Sequence, residues 1–316
     1  MPRIPPLIEI EPPDLSSYRI GNTGVDYVWS FAGAEPGPHV VLNALTHGNE
    51  ICGAIALDRM LRRGLRPARG KLTFSFANIG AYQAFNRADP NASRFLDEDL
   101  NRVWAPKVLD GPRQSRELQR ARALRPIVDT ADFLLDIHSM TAETTPLMLT
   151  GMAEKHLAFA RRVGVPAMLV RDKGHAAGER LREYGRFSDP DAAPISLLVE
   201  CGQHWLKKTV DIALETLWRF LAAAGVLAED EAAAWLARPA PPQRTVLVTE
   251  CVTISTDEFR LDERFRGRDI VPRAGTVIAH DGPREIRTPY DNCVLIMPVW
   301  RSIRGVTALR LGRFED

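Results

Sequence analysis

Apolar positions along the chain come in short runs separated by stretches of helical spacing. Residues 40–45 form a brief apolar run rich in β-branched side chains, followed by the turn-like His47-Gly48-Asn49. The pattern then becomes helical through Arg62, with Ile51, Ala54, Ile55 and Leu61 able to share a buried face. Residues 71–78 alternate Leu72, Phe74 and Phe76 with smaller or polar residues, as a half-buried strand does. Residues 113–128, 154–163 and 206–224 read as helices, and 133–137, 167–170 and 195–199 as buried strands. Strands alternating with helices predict an α/β fold: a sheet with helices on its faces.

The pattern changes after Arg238. Pro239, Pro241 and Pro242 mark a linker, and β-type runs at 246–254, 276–279, 294–299 and 306–311 dominate the remainder of the chain. This predicts a main domain over residues 1–240 and a small β domain over 241–316. At 316 residues the chain is long enough to bury a substantial core in such an arrangement. No internal repeat or low-complexity tract stands out.

Charge narrows the range of partners. Lys+Arg total 41 against 40 Asp+Glu, so the chain lacks the electrostatic footprint of a nucleic-acid or anionic-membrane binder, and a small molecule is the expected partner. The first eleven residues carry several prolines and early acids in place of a secretory signal, and no segment is apolar for long enough to cross a bilayer. Cys52, Cys201, Cys251 and Cys293 are scattered without CxxC pairs, which fits buried reduced thiols and a cytoplasmic location. The oligomeric state is left open, a homo-oligomer included.

The chemistry concentrates at strand ends. In open α/β sheets sites form beyond the carboxyl ends of strands, and His47, His138 and Glu200 each fall at or just past such an end. In THGNE, His47 and Glu50 are three apart at a strand-to-helix turn and can point the same way. Catalytic zinc takes three protein ligands and leaves a fourth position for water; His138, in LLDIHSM, completes a His₂Glu set. Each residue also has a plain reading. An HxxE pair occurs on ordinary helix faces, and a histidine or glutamate after a buried strand can be a hydrogen-bonded core residue or a simple strand terminus. Arg94, Asp97, Asp99 and Arg102 can form a solvated salt-bridge cluster of little energetic worth. Cys201 and His204 offer a rival nucleophile and base, without an accompanying oxyanion element. His175 is a loop histidine whose role is open.

Taken in order, HGNE at 47–50, Arg94 followed by DLNR at 99–102, D-x-H at 136–138 and VE at 199–200 resemble the succinylglutamate desuccinylase and aspartoacylase family, relatives of the zinc carboxypeptidases. The resemblance covers roughly residues 40–202. It continues more loosely through AGTVIAHDG and RTPYDNCVLIMP. It implies a zinc-carboxypeptidase-like mixed sheet flanked by helices, with the C-terminal β domain partly capping the site. It further implies one Zn²⁺ per chain held by His47, Glu50 and His138, with Glu200 as general base and then acid, and Arg94 stabilising the oxyanion. Asn101 and Arg102 would grip a substrate carboxylate, and Asp99 would orient His47.

The chain also departs from the family pattern. Only Arg186 stands shortly before Glu200, at a shifted offset from the family's further substrate arginine. No tyrosine follows Pro298, and Tyr290 lies upstream. These departures leave neither N-acetylaspartate nor succinylglutamate as a specific expectation. The reaction expected is hydrolysis of the amide bond of an N-acyl amino acid or similar small carboxylate-bearing substrate. The alternatives are a metallocarboxypeptidase acting on peptides and a non-catalytic zinc- or carboxylate-binding protein.

Overall fold

The computed structural model describes residues 7–299 and 303–315. The amino-terminal reading rests partly on residues 1–6, and part of the stretch without tyrosine is residues 300–302; both lie outside the described residues. The strands in chain order are β1 (Val28–Ala32), β2 (Glu35–Ala44), β3 (Arg69–Phe76), β4 (Phe133–Met140), β5 (Leu147–Leu149), β6 (Met168–Arg171) and β7 (Ile195–Gln203). They continue as β8 (Arg244–Thr253), β9 (Phe259–Leu261), β10 (Ile270–Val271), β11 (Val277–Asp281), β12 (Arg284–Arg287), β13 (Cys293–Ile296) and β14 (Thr307–Phe314). The helices are α1 (Ile51–Arg62), α2 (Ile79–Gln83), α3 (Pro106–Leu109), α4 (Arg116–Val128), α5 (Glu154–Val163), α6 (Lys207–Ala224) and α7 (Glu229–Leu236).

At the centre β3, β2, β4 and β7 run parallel in that order. Both faces of these strands are covered, so Val40, Leu42, Leu72, Phe74, Leu135, Ile137, Leu197 and Val199 are all buried, as parallel strands require. Helices α1, α5 and α6 cover one face through Leu57, Met60, Leu157, Val163, Leu217 and Phe220. Helix α4 and the 100–109 segment cover the other, where Trp104, Leu118, Ala121 and Leu124 meet Val41 and Leu134. Gly53 lets α1 approach closely, since a Cβ there would lie 3.0 Å from Ala44 Cβ and from Ile137 Cγ2.

The fold is the expected mixed α/β sheet flanked by helices, with a small antiparallel C-terminal sheet of β12, β11 and β9. The expected boundary at 240 falls in the coil between α7 and β8. The large sheet runs on across it: β8 pairs in parallel with β6, Met168 opposite Arg244, and β14, β13 and β10 follow outward. Several elements have no counterpart among those expected from the sequence, the short α2, α3, β9, β10 and β12 among them. Strand β1 pairs with β3 at the sheet edge, β5 is only three residues long, and α7 stacks Trp235 on Trp218 with ring centroids 5.4 Å apart. Strands β4 and β7 also extend past the expected ends, so His138 and Glu200 sit inside the last turns of pairing, directly opposite each other.

Candidate active site

Strand β2 ends at Ala44, and Leu45 adopts a left-handed φ of 61°, a conformation that costs a non-glycine residue about 1 kcal/mol or more. The next turn carries Thr46, His47 and Gly48, and Glu50 stands at the N-cap of α1. Gly48 has no room for a side chain, because a Cβ would lie 2.3 Å from the carbonyl carbon of Ala81. Its N–H donates to the Arg94 carbonyl at 3.1 Å, which ties this turn to the segment bearing the arginine. That segment is held in turn by buried Glu117, whose carboxylate accepts from the backbone N–H groups of Leu96, Asp97 and Glu98.

The three expected donor residues converge. One ligand atom from each of His47, Glu50 and His138 lies within 4.8 Å of the others, and all three residues are buried. Glu50 bridges the two imidazoles, with Oε1 2.7 Å from His47 Nδ1 and Oε2 2.9 Å from His138 Nδ1. The opposite ring nitrogens have their own acceptors: Asp99 Oδ1 lies 3.0 Å from His47 Nε2, and Asp136 Oδ2 lies 2.8 Å from His138 Nε2. Carboxylates behind the imidazoles fix the rings and leave both Nδ1 atoms turned toward the shared centre. Asp136 and His138 are two apart on one strand and so share a face, the signal in D-x-H that locates this partner. Asn43 Nδ2 and Thr46 Oγ1 donate to the other oxygen of Asp136, each at 2.8 Å.

Glu200 faces this cluster from β7. Its Oε2 is buried without a hydrogen-bond partner. Burial, then the charge of Glu50, pushes its carboxyl up to about 8, against the pull of His138 and Arg94. Burial opposes ionisation of Glu50, but the charges and hydrogen bonds of His47 and His138 outweigh it and hold this carboxyl well below the usual range. Two imidazoles and one carboxylate aimed at one point, with an unpartnered carboxylate opposite, are the donor chemistry of a borderline-soft divalent cation such as zinc.

Arg94 lies beside the cluster, with Nη2 3.1 Å from Asp99 Oδ2 and Nη1 3.4 Å from Glu50 Oε1. Arg102 is next, its Nη2 4.0 Å from Asp99 Oδ2. Asn101 is placed differently: its Oδ1 accepts from the Leu181 N–H at 2.9 Å and anchors the 178–183 loop. Arg186 donates to the Asp129 carbonyl at the surface, and Tyr290 bonds Thr249, so neither joins the cluster. Among the described residues Asp97 pairs with Arg116 in the open, away from Arg94. The cysteine reading finds no support. His204 bonds Ser139 at 2.7 Å and Thr141 at 3.3 Å, while burial and the neighbouring Cys52 push the Cys201 thiol well above its usual range.

A second group of buried charge, which no sequence motif signals, lies beside Arg102. Arg180, Arg182, Asp172 and Glu183 are interlinked there, with Arg310 reaching in from β14. His175 bonds Thr307 at 3.1 Å and is pushed down to about 3 by burial and by Arg102, Arg310 and Arg180.

Comparison with known proteins agrees with this layout. The family model of the succinylglutamate desuccinylase/aspartoacylase catalytic domain matches residues 36–223. A probable aspartoacylase of Parasynechococcus marenigrum is 32% identical over 198 residues, covering 57% of this chain and 60% of that protein. An N-acyl-aromatic-L-amino acid amidohydrolase (carboxylate-forming) of Rattus norvegicus is 26% identical over 148 residues, covering 42% of this chain and 45% of that protein. The chain thus spans less than two thirds of either relative. Among solved structures, a succinylglutamate desuccinylase/aspartoacylase of Rhodobacter sphaeroides superposes with a TM-score of 0.67 at 20% identity, over 92% of this chain and 89% of that one. A succinylglutamate desuccinylase of Vibrio parahaemolyticus gives 0.65 at 17% identity, over 92% and 86%. These two share the fold. With its catalytic-domain model matched over more than half of its length, the chain belongs to the succinylglutamate desuccinylase/aspartoacylase family.

Proposed function

We propose that this chain is a zinc-dependent amidohydrolase that cleaves the amide bond of an N-acyl amino acid or similar small carboxylate-bearing substrate. The observation that carries the reading is the convergence of His47, Glu50 and His138 within 4.8 Å, with the unpartnered Glu200 carboxylate opposite. His47 Nδ1, His138 Nδ1 and the Glu50 carboxylate would hold the ion. When bound, it supplies Lewis-acid polarisation of the scissile carbonyl and lowers the pKa of water to about 7.

Glu200 takes a proton from the attacking water and returns it to the leaving amine nitrogen. A carboxyl that burial has raised is suited to both halves of that transfer near neutral pH. The Arg94 guanidinium lies beside Glu50 and Asp99, where it can meet negative charge developing on the carbonyl oxygen. Arg102, with a side chain 21% exposed, is placed to take a substrate carboxylate. For Asn101 the proposal is narrower than a direct grip on substrate, since its oxygen is already used by Leu181.

In the same reading residues 241–316 cap the site as a separate β domain. In support, Gly267 approaches Thr144 and an open cleft of about 370 Å³ lies between residues 142–143 and 263–267. A capped mouth favours small substrates over peptides. No helix among the described residues is long and apolar enough to cross a membrane. The test is metal analysis and then a panel of N-acyl amino acids and C-terminal dipeptides. Stoichiometric zinc, lost in His47→Ala, together with turnover of an acyl amino acid abolished in Glu200→Gln, is the expected outcome. Zinc binding with no hydrolysis of any panel member would favour a binding protein instead.

A further inference from the structure

Arg94 and Asp99 reach the metal donors from one short segment that regular secondary structure does not hold. Arg94 closes a one-turn helix at Ala92–Arg94, Asp99 precedes another at Leu100–Arg102, and residues 95–98 between them belong to no helix or strand. Their backbone N–H groups therefore need partners from elsewhere. One side chain supplies them. Glu117 Oε1 accepts from the Leu96 N–H at 2.7 Å and from Asn78 Nδ2 at 3.1 Å, and Oε2 accepts from the N–H groups of Asp97 at 3.0 Å and Glu98 at 3.3 Å.

Glu117 is fully buried in the first turn of α4, and it forms no ion pair among the described residues. Arg116 is taken by Asp97, and Arg120 by the carbonyls of Asp26, Phe76 and Ala77. A buried carboxylate is costly unless hydrogen bonds replace its hydration, and here four donors do so. The clamp needs both oxygens: an amide of the same shape keeps one acceptor and turns an NH₂ group toward donors that already point at it.

The clamped peptides lie between two side chains of the site. The Arg94 carbonyl is fixed by the Gly48 N–H, so the arc is tied at its start to the His47 turn and along its length to Glu117. Arg94 Nη1 then falls 3.4 Å from Glu50 Oε1, and Asp99 Oδ1 falls 3.0 Å from His47 Nε2. A displacement of about 1 Å in this arc would disturb both contacts.

We propose that Glu117 is a positioning residue of the site: through the peptide groups of residues 96–98 it sets Arg94 and Asp99 against the metal donors, and it touches neither substrate nor metal. Its effect on the reaction through Arg94 rests on the hydrolase reading above. Its hold on Asp99, and through Asp99 on His47, is independent of the reaction.

The test uses the full chain with Glu117→Gln, Glu117→Asp, Arg94→Ala, Asp99→Asn, and Glu117→Gln combined with each of the last two. Zinc affinity is measured by competition with a chelator, and kinetics on an accepted acyl amino acid. Glu117→Gln should lower kcat roughly 10²-fold, the order of losing one oxyanion donor, with KM within about threefold. Zinc should bind about tenfold more weakly, as when the group behind a ligand histidine is disturbed. Coupling separates positioning from support of the fold. Added to Arg94→Ala, Glu117→Gln should cost kcat no more than about threefold, and added to Asp99→Asn it should cost zinc affinity no more than about threefold. A residue that only held the fold together would cost the same factor in every background. Glu117→Asp, with both oxygens on a shorter stem, should recover part of each loss. Wild-type kcat and zinc affinity in Glu117→Gln overturn the proposal. So do losses that multiply in full with those of Arg94→Ala and Asp99→Asn. If Glu117→Gln does not fold, the same combinations made with Glu117→Asp decide. If the wild-type chain hydrolyses no substrate, the hydrolase reading falls and the zinc measurements with Asp99→Asn decide the positioning role alone.

Discussion

Two neighbouring regions of this molecule bury charge in opposite ways. Around His47, Glu50 and His138 each imidazole lies between two carboxylates, so the centre is rich in negative groups. Around Arg102 and Arg310 the arginines outnumber the carboxylates that reach them. Burial is costly for either sign, so in each region the side chains are tied into pairs. The difference teaches that carboxylates balance the buried imidazoles on both sides, whereas the buried arginines share a smaller number of carboxylates.

The comparison can be broken most sharply at Glu200. In Glu200→Gln kcat is expected to fall by roughly 10²–10⁴-fold, the range for loss of a positioned acid–base group, with zinc content unchanged. Rate and metal analysis on the same preparation check this, and a variant with wild-type kcat removes Glu200 from the chemistry. Next in size is Asp172, whose carboxylate sits between Arg180 and Arg310. Asp172→Ala leaves both guanidiniums less compensated and should destabilise the fold by about 3–5 kcal/mol in urea unfolding. A loss below about 1 kcal/mol would mean that the second region tolerates its excess charge, and the contrast would dissolve.

A smaller effect separates the carboxylate-paired imidazoles from two buried ones whose rings bond no carboxylate. Burial pushes His39 and His156 down to about 4, so in the folded chain they are neutral where an unfolded histidine would already bind a proton. Stability should therefore be full above pH 6.5 and fall as pH drops from about 6.5 toward 4, each histidine contributing up to about 3 kcal/mol of the loss. His156→Gln keeps a donor for the Phe187 carbonyl, and its urea midpoint should change less between pH 7 and pH 5 than that of the wild type. An unchanged slope would assign the pH dependence elsewhere. Smallest is the exposed pair of Asp97 and Arg116: Asp97→Asn should leave the melting temperature within error, because solvent screens that pair.

Much of the catalytic half is legible in the linear pattern alone. Helix α5 occupies the expected residues 154–163, and β2, α1 and β3 lie within a few residues of their readings, because long amphipathic or buried segments announce their period. The short elements escape: β5 has three residues, too few to show a period, and β1 pairs at an edge with only Val28 fully covered. Helix α7 carries a usable signal in Glu229, Asp230 and Glu231, acids that favour a helix start, but at eight residues it is too short to show a clear period, and the linear pattern leaves it unassigned. The three donor residues are legible because two lie within one turn and the third ends a buried run. The placement of Asn101 is not, since its oxygen goes to a backbone group eighty residues away in the chain.

The sequence by itself determined the period of each long element, the motifs that carry His47, His138 and Glu200, and the near-cancelling charge that points to a small-molecule partner. Those are local or summed properties, set by neighbouring residues or by composition alone. Tertiary structure decided that the large sheet continues through β8 and β14, and so that Arg310 meets Asp172 and the side of the site that holds Arg102. Which charges end up facing one another depends on strand order and register, and a linear pattern of hydrophobic and polar residues does not encode these until the chain has closed on itself.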